Sequence, residues 1–149
     1  MFKHILVPTD GSELSGKAIK QAMALARSLG AKITLLHVVG EYHQLLVNEG
    51  YAIPDVPELR KRFEEAELAR AHKILDAAKS TVAEAGVECD AVIATGDLPY
   101  DSIIRQAKGS GCDLIMMASH GRRGLQGLLL GSETVRVLTH STIPVLVCR

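Results

Sequence analysis

The sequence lacks tryptophan and has few other aromatic residues, with two phenylalanines and three tyrosines among 149 residues. Proteins that bind single-stranded nucleic acid stack the bases on aromatic side chains, and this chain has few to offer. It also lacks an excess of charge of either sign, because 17 basic residues balance 17 acidic ones. No field of one sign would therefore attract it to nucleic acid or to an anionic membrane surface. We expect neither as a partner.

Long hydrophobic runs are absent too, since the longest lie at 114–118 and 143–148 and a membrane helix needs about 20 residues. The first residues enter a strand-like run without the pattern of a cleavable signal peptide. The three cysteines, at positions 89, 112 and 148, fit neither a disulfide framework nor a zinc site with paired ligands. We interpret them as small buried apolar residues and expect a cytoplasmic protein.

Five short apolar runs alternate with helical patterns along the chain. The runs cover residues 5–8, 32–39, 88–94, 114–118 and 144–148, and four are continuous, as in strands covered on both faces. Apolar residues three or four positions apart predict helices over 12–29, 57–85, 99–108 and 132–140. This alternation predicts one α/β domain over residues 1–149, with a five-stranded parallel sheet in the order 3-2-1-4-5 and helices on both faces. We expect residues 41–57 to form a mobile loop with one helical turn.

The most informative stretch follows the fourth predicted strand. Ala118-Ser119-His120-Gly121 is followed by nine residues and then by Gly131-Ser132-Glu133-Thr134, where the last helix begins. Unpaired amides and the helix dipole favour an anion at a helix N-terminus, and glycines let the backbone approach it and adopt positive φ angles. The stretch therefore predicts a phosphate-binding loop. On these residues alone, the alternative that the glycines only turn the chain, and that Ser132 caps the helix, stays open.

The predicted strand order brings a second polar loop to this stretch. In such sheets the ligand lies beyond the carboxyl ends of the strands where the order reverses, between strands 1 and 4. Asp10, at the end of strand 1, could accept hydrogen bonds from ribose hydroxyls or position a hydrated metal ion. Alternatively it caps the first helix, with Glu13 completing a capping box. His120 could donate to a phosphate, or it has a structural role only.

Three well-known site motifs are missing. The glycine-rich loop has no lysine, which a P-loop NTPase requires. Strand 1 is not followed by Gly-x-Gly-x-x-Gly, the fingerprint of a dinucleotide site, and there is no Gly-x-Ser-x-Gly nucleophile elbow. These absences argue against a P-loop enzyme, a dinucleotide-dependent oxidoreductase and a serine hydrolase.

Four runs of this chain together resemble the universal stress protein family, and the resemblance covers essentially the whole sequence. They are Ile5 to Ser12, Leu35 to Val38, Asp113 to Met117 and Ile143 to Val147. ATP-binding members of that family carry a glycine, two residues, a second glycine, nine residues, and a glycine followed by serine or threonine. Gly121, Gly131 and Ser132 fit this spacing, whereas Ala118 replaces the first glycine.

The resemblance implies a site for ATP, with AMP and ADP as other candidates, and magnesium held mainly by phosphate oxygens and water. A contact of Asp10 to that ion through water is a further candidate. Together with His120, the residues that we assign to the nucleotide are Pro8, Thr9, Asp10, Val38, Met117, Ala118, Gly121, Arg122, Gly131, Ser132, Glu133 and Thr134.

The resemblance also implies a homodimer that pairs through the last strand, Ile143 to Cys148, because an apolar edge strand is a liability unless it is covered. The function we expect is nucleotide-dependent regulation in a stress response, without efficient turnover of ATP. Two alternatives stay open: a nucleotide-independent homodimeric interaction module, and a slow ATPase.

Overall fold

The computed structural model describes residues 1–42, 56–122 and 130–149. The elements are β1 (His4–Pro8), α1 (Glu13–Leu29), β2 (Lys32–Val39), α2 (Pro57–Glu84), β3 (Cys89–Thr95), α3 (Pro99–Gly109), β4 (Leu114–Ala118), α4 (Ser132–His140) and β5 (Val145–Cys148). The predicted strands and helices are confirmed, with ends that differ by at most one residue. Most of the predicted 41–57 loop lies outside the described residues, as do Arg123, Gly124 and Gly127.

The strands form one parallel sheet in the order β3-β2-β1-β4-β5, which confirms the predicted topology. β1 pairs with β2 on one side, with Val7 opposite Leu35, and with β4 on the other, with Leu6 opposite Ile115. The order reverses between β1 and β4. The chain segments that leave the carboxyl ends of these two strands therefore border the same crevice.

Alternate strand residues enter two separate cores, because successive side chains point to opposite faces of a sheet. Ile5 and Val7 pack under α1 and α2, whereas Leu6, Leu36 and Ile115 pack under α3 and α4. Helices thus cover both faces, as predicted. Within the three described stretches, no helix is both long enough and apolar enough to cross a membrane.

Helix α4 carries the glycine-rich motif at its start and is short, with nine residues. Helices of this length are marginal in isolation, so tertiary packing must hold α4 in place. Its buried residues are Thr134 and Val137, and Val137 is fully buried in the core under α3 and α4. The position of the α4 N-terminus therefore depends on how these two side chains contact the sheet.

Two helix caps differ from the predicted alternatives. Ser12, not Asp10, is the N-cap of α1, and its hydroxyl accepts a hydrogen bond from the Ser15 N–H at 3.2 Å. The N-cap of α4 is Gly131, which has no side chain to donate or accept, and not Ser132. The capping roles considered for Asp10 and Ser132 are therefore wrong, because the N-cap lies two residues after Asp10 in α1 and one residue before Ser132 in α4.

The cysteines bear out their interpretation as apolar residues in two cases. Cys112 and Cys148 are buried, and Cys89 is partly buried on an edge strand. Burial raises the pKa of the Cys89 and Cys112 thiols to about 11. Their thiols are therefore protonated at neutral pH and are poor nucleophiles.

Gly11 and Gly30 both have positive φ angles, 79° and 62°, but they differ in the space around them. A Cβ at Gly11 would lie 3.0 Å from Cδ1 of Ile74, whereas a Cβ at Gly30 meets nothing within 4 Å. We expect Gly30→Ala to lower the free energy of unfolding by about 1 kcal/mol through backbone strain. Gly11→Ala should lower the free energy of unfolding by about 1 kcal/mol more than Gly30→Ala, because Ile74 must also move. Urea unfolding measures both changes, and equal costs would contradict the role of Ile74.

Candidate functional site

Asp10 links the two loops that leave β1 and β4. Its Oδ1 accepts a hydrogen bond from the Ser12 N–H at 2.9 Å, and its Oδ2 accepts one from the Arg122 N–H at 2.6 Å. The second bond joins residues 112 positions apart in the sequence. The two polar loops that the sequence placed on either side of one crevice therefore meet in the folded chain.

Thr9 is buried and fixed by side chains that the sequence analysis did not assign to the site. Nδ1 of His37 lies 2.8 Å from the Thr9 carbonyl oxygen, and a carbonyl can only accept, so this nitrogen carries the proton. The Thr9 hydroxyl lies 3.0 Å from that of Ser15. A histidine within the otherwise apolar run of β2 was the available signal for this contact. His37 and Ser15 hold the β1 loop in place.

Three hydrogen bonds attach the start of α4 to the end of β4. The Thr134 hydroxyl donates to the carbonyl oxygens of Ala118 at 3.1 Å and Ser119 at 3.2 Å. The Gly131 N–H donates to the same Ser119 oxygen at 2.7 Å. Two donors that we assigned to the nucleotide are thus bonded inside the protein, where they position the helix.

Other donors at the start of α4 have no such bond. The amides of Ser132, Glu133 and Thr134 belong to the first helical turn, where intrahelical bonding leaves N–H groups unpaired. Among the described residues, no hydrogen bond from these three amides occurs. The side chain of Ser132 is exposed. The first turn of α4 therefore presents amides and a hydroxyl at its positive dipole end, which favours an anion.

The carboxylate of Glu133 is directed away from this turn. Its Oε2 accepts the Tyr100 N–H at 2.8 Å in the first turn of α3, and its Oε1 pairs with Arg136 at 3.2 Å. Glu133 therefore stabilises the contact between α3 and α4. Only its backbone amide remains for an anionic ligand.

Of the two properties that glycine offers, a positive φ angle is not used by Gly121 or Gly131. Each instead permits a close approach. A Cβ at Gly121 would lie 2.9 Å from Asp10 Oδ2, and one at Gly131 would lie 3.3 Å from the Ser119 oxygen and 3.4 Å from the His120 Cα. Both positions are therefore glycine because a side chain would not fit there, and not because of their backbone conformation.

Ala118 stands where the family motif has its first glycine. Its side chain is 7% exposed and belongs to the core under α1 and α2, while its carbonyl accepts the Thr134 hydroxyl. The additional methyl group is therefore buried in the core and does not protrude from the loop that follows β4.

His120 packs beside Gly131 and has one ring nitrogen without a partner. Its Nδ1 lies 3.0 Å from the Ser119 hydroxyl, but its Nε2 is buried and makes no hydrogen bond with the described residues. A buried polar atom without a partner is costly, and such atoms are rare in native proteins. Nε2 is therefore a polar atom whose hydrogen-bonding capacity no described residue meets.

The remaining assigned residues lie at the carboxyl ends of the central strands. Pro8 ends β1 and Val38 lies near the end of β2, and both are half-buried. Met117, near the end of β4, is buried under α3 and α4, so only its backbone can reach a ligand. The Arg122 side chain is exposed, whereas its amide is held by Asp10.

A metal ion at this site would need oxygen atoms of the ligand in addition to those of the protein. The described part of the chain contains no group of three or more His, Cys, Asp or Glu residues able to hold a metal. Magnesium commonly takes one or two carboxylates together with phosphate oxygens and water. Asp10, a single carboxylate between two loops, fits that pattern.

Two cavities lie away from the start of α4. One, of about 580 Å³, is at the amino-terminal edge of the sheet and is lined in part by Lys3, Arg27 and Lys32. Another, of about 480 Å³, lies between the end of β2 and α2, where the Tyr42 and Phe63 rings make a tilted contact with their centroids 5.4 Å apart.

Two groups with shifted pKa values also lie at the amino-terminal edge. Burial and the charge of Lys32 lower the pKa of His4. Burial alone would raise the pKa of Asp113, but the N–H groups of His4 and Lys3 outweigh it and lower that pKa. These groups support the fold and not the site.

The model of the universal stress protein family matches residues 1–149. This chain belongs to the universal stress protein family. It is 36% identical over 154 residues to universal stress protein YxiE of Bacillus subtilis, with both chains fully covered. It is 33% identical over 156 residues to universal stress protein MJ0577 of Methanocaldococcus jannaschii, covering 100% of this chain and 96% of that protein.

Solved structures of relatives share the fold. The structure of MJ0577 matches with a TM-score of 0.83 at 31% identity, over 99% of this chain and 96% of the other. UspA from Lactobacillus plantarum matches with a TM-score of 0.84 at 27% identity, over 99% and 98%. Family proteins from Arabidopsis thaliana with AMP bound, and from Archaeoglobus fulgidus in complex with dAMP, match with TM-scores of 0.68 at 23% and 16% identity. They cover 98% and 100% of this chain, and 90% and 98% of their own.

Proposed function

We propose that this protein binds ATP at the switch point between β1 and β4 and acts in the cytoplasm as a nucleotide-dependent regulator of a stress response. The observation that carries the proposal is the set of amides in the first turn of α4 that make no hydrogen bond with the described residues, beside the loop that follows β4. AMP and ADP are further candidates, and two relatives of the same fold have AMP and dAMP bound. Because those two are less than 25% identical to this chain, the proposal rests on the site itself.

The assigned residues divide between the two ends of the nucleotide. Pro8, Thr9, Asp10 and Val38 would border the nucleoside, with the backbone of Met117 and Ala118 beside it. The phosphates would lie against the first turn of α4, where the amides of residues 132–134 and the Ser132 hydroxyl point outward. His120 would donate from Nε2, the buried ring nitrogen without a partner among the described residues. Magnesium would be held by phosphate oxygens and water, with Asp10 as a candidate contact through water.

We further propose binding without efficient turnover. General base catalysis needs a group within hydrogen-bond reach of the proton that it removes. The Asp10 carboxylate already accepts two backbone N–H groups, and Nδ1 of His120 is paired with Ser119. In the tautomer that donates from Nε2, the Nδ1 lone pair accepts the Ser119 hydroxyl, so neither residue is poised to activate a water molecule and a slow ATPase is the weaker alternative.

The second candidate function is a nucleotide-independent homodimeric module that pairs through Ile143 to Cys148. It is favoured by the position of β5 at the edge of the sheet and by Leu146 on that strand, which is 40% exposed. An uncovered apolar edge strand readily pairs with another chain. β5 ends beside the candidate site, where the Ser119 N–H donates to the Cys148 carbonyl oxygen at 2.8 Å.

Titration of the purified protein with ATP and magnesium tests the leading proposal. We expect calorimetry to give micromolar or tighter binding and the melting temperature to rise with ATP concentration, because the ligand binds only the native state. Phosphate release should not exceed that of buffer controls. Absence of both heat and a melting shift, with a dimer retained in light scattering, would instead favour the interaction module.

A further inference from the structure

One amide of the glycine-rich loop is already bonded to an anion that belongs to the protein. The Arg122 N–H, in the predicted phosphate-binding loop, donates to Asp10 Oδ2 at 2.6 Å. Hydrogen bonds from N–H groups to carboxylates are among the stronger ones in proteins. An incoming phosphate must therefore compete with the Asp10 carboxylate for this donor.

Gly121 makes the internal bond possible. A Cβ at this position would lie 2.9 Å from Asp10 Oδ2, which is closer than real Cβ contacts allow. The Cβ of any other residue at position 121 would push the Asp10 carboxylate away from the Arg122 amide. This motif glycine thus makes room for a carboxylate of the protein.

The carboxylate is held at this position from a second side. Its Oδ1 accepts the Ser12 N–H at 2.9 Å, directly before the N-terminus of α1, where the helix dipole stabilises negative charge. Asp10 is therefore a fixed negative charge at the junction of the two loops. A second anion bound a few ångströms away would be repelled by it, unless a cation lay between them.

We propose that Asp10 is a built-in competitor for the phosphate chain, occupying the Arg122 N–H until an anion displaces it and so limiting the affinity of the site for phosphates. The inference rests on the proposed function and adds a determinant of its affinity. Asp10 thus has two roles. It weakens the binding of a phosphate chain without a metal ion, and it can strengthen the binding of one that brings its own cation.

The first test compares Asp10→Asn with the wild-type protein in calorimetric titrations with inorganic tripolyphosphate and no divalent cation. Asparagine has nearly the same shape and keeps one acceptor oxygen, but it removes the charge. We expect at least tenfold tighter binding. The matched control is Asp97→Asn, which removes an exposed carboxylate at the same edge of the sheet, after β3, and should leave the affinity unchanged.

The second test uses the wild-type chain alone and does not depend on the folding of a variant. Because the anion displaces the carboxylate from Arg122, the carboxyl ¹³C signal of Asp10 should shift as tripolyphosphate is added. A signal that stays in place at saturation would overturn the proposal.

The outcomes distinguish this inference from the proposed function. Equal or weaker binding of tripolyphosphate by Asp10→Asn would overturn the competitor role, and ATP binding by the wild-type protein would still stand. Failure of the wild-type protein to bind ATP would overturn the proposed function. If neither protein bound tripolyphosphate, there would be nothing for Asp10 to compete with, and the competitor role would fall as well.

Discussion

Gly131→Val should weaken nucleotide binding by at least a hundredfold, which corresponds to about 2.7 kcal/mol. A Cβ at this position would lie 3.3 Å from the Ser119 carbonyl oxygen and 3.4 Å from the His120 Cα, and both are backbone atoms that cannot turn away. The two γ-methyl groups of valine add to this conflict. Relief requires α4 to move away from β4, which breaks the 2.7 Å bond from the Gly131 N–H to Ser119.

The expected loss of nucleotide affinity follows from the position of the hydrogen-bond donors at the start of α4. The amides of residues 132–134 act together only if the helix begins at a fixed distance from the end of β4. A shift of the first turn moves all three amides and also the hydroxyl of Thr134, which now bonds to Ala118 and Ser119. Positioned donors lose most of their effect when they are displaced by about an ångström.

The matched control for this substitution is Gly109→Val, at the exposed end of α3. A Cβ at Gly109 meets nothing within 4 Å, so the same change in side chain should leave the affinity unaltered. Calorimetry with ATP and magnesium measures the dissociation constants, and circular dichroism checks that both variants are folded. An unchanged dissociation constant for Gly131→Val would mean that the nucleotide does not contact the start of α4.

The fold could be predicted from the sequence because its determinants are local and repeated. Continuous apolar runs marked the buried strands, and 3.6-residue periodicity marked α1 through Leu14, Ala18 and Ala22. The rule that parallel sheets bind ligands where the strand order reverses then brought the β1 and β4 loops together. The hydrogen bond between Asp10 and Arg122 bears out that placement.

The chemistry within the crevice could not be predicted in the same way. A glycine in a sequence does not reveal whether it supplies a positive φ angle or space, and Gly121 and Gly131 supply space. Glu133 follows the motif serine, yet its carboxylate reaches Tyr100 because α3 and α4 pack together. Such contacts depend on pairs of residues far apart in the chain, and no local pattern specifies them.

The internal hydrogen bonds of Thr134 and Asp10 could not be predicted for the same reason. Thr134 bonds to the end of β4, and Asp10 bonds to Arg122 across the switch point. A polar side chain near a crevice can hold the crevice open or contact its ligand, and its sequence neighbours do not decide between the two. The distances from Thr134 to Ala118, and from Asp10 to Arg122, show how each side chain is held.

Leu36→Ala should lower the free energy of unfolding by about 2–5 kcal/mol, the range expected for a large side chain removed from a packed core. Leu36 is fully buried in the core under α3 and α4, with Ile115 and Val137. The matched control is Leu68→Ala on α2, because Leu68 is 47% exposed and surface changes usually stay within about 0.5 kcal/mol. Urea unfolding measures both values.

The same substitution separates stability from binding. The Leu36 carbonyl accepts the Thr9 N–H at 2.8 Å, a backbone bond that does not depend on the side chain. Well below its melting temperature, the Leu36→Ala protein should therefore bind ATP with an affinity close to that of the wild-type protein. Gly131→Val should show the reverse, with a large loss of affinity and a smaller loss of stability. If Leu36→Ala cost no more stability than Leu68→Ala, the core under α3 and α4 would not be what holds α4 against the sheet.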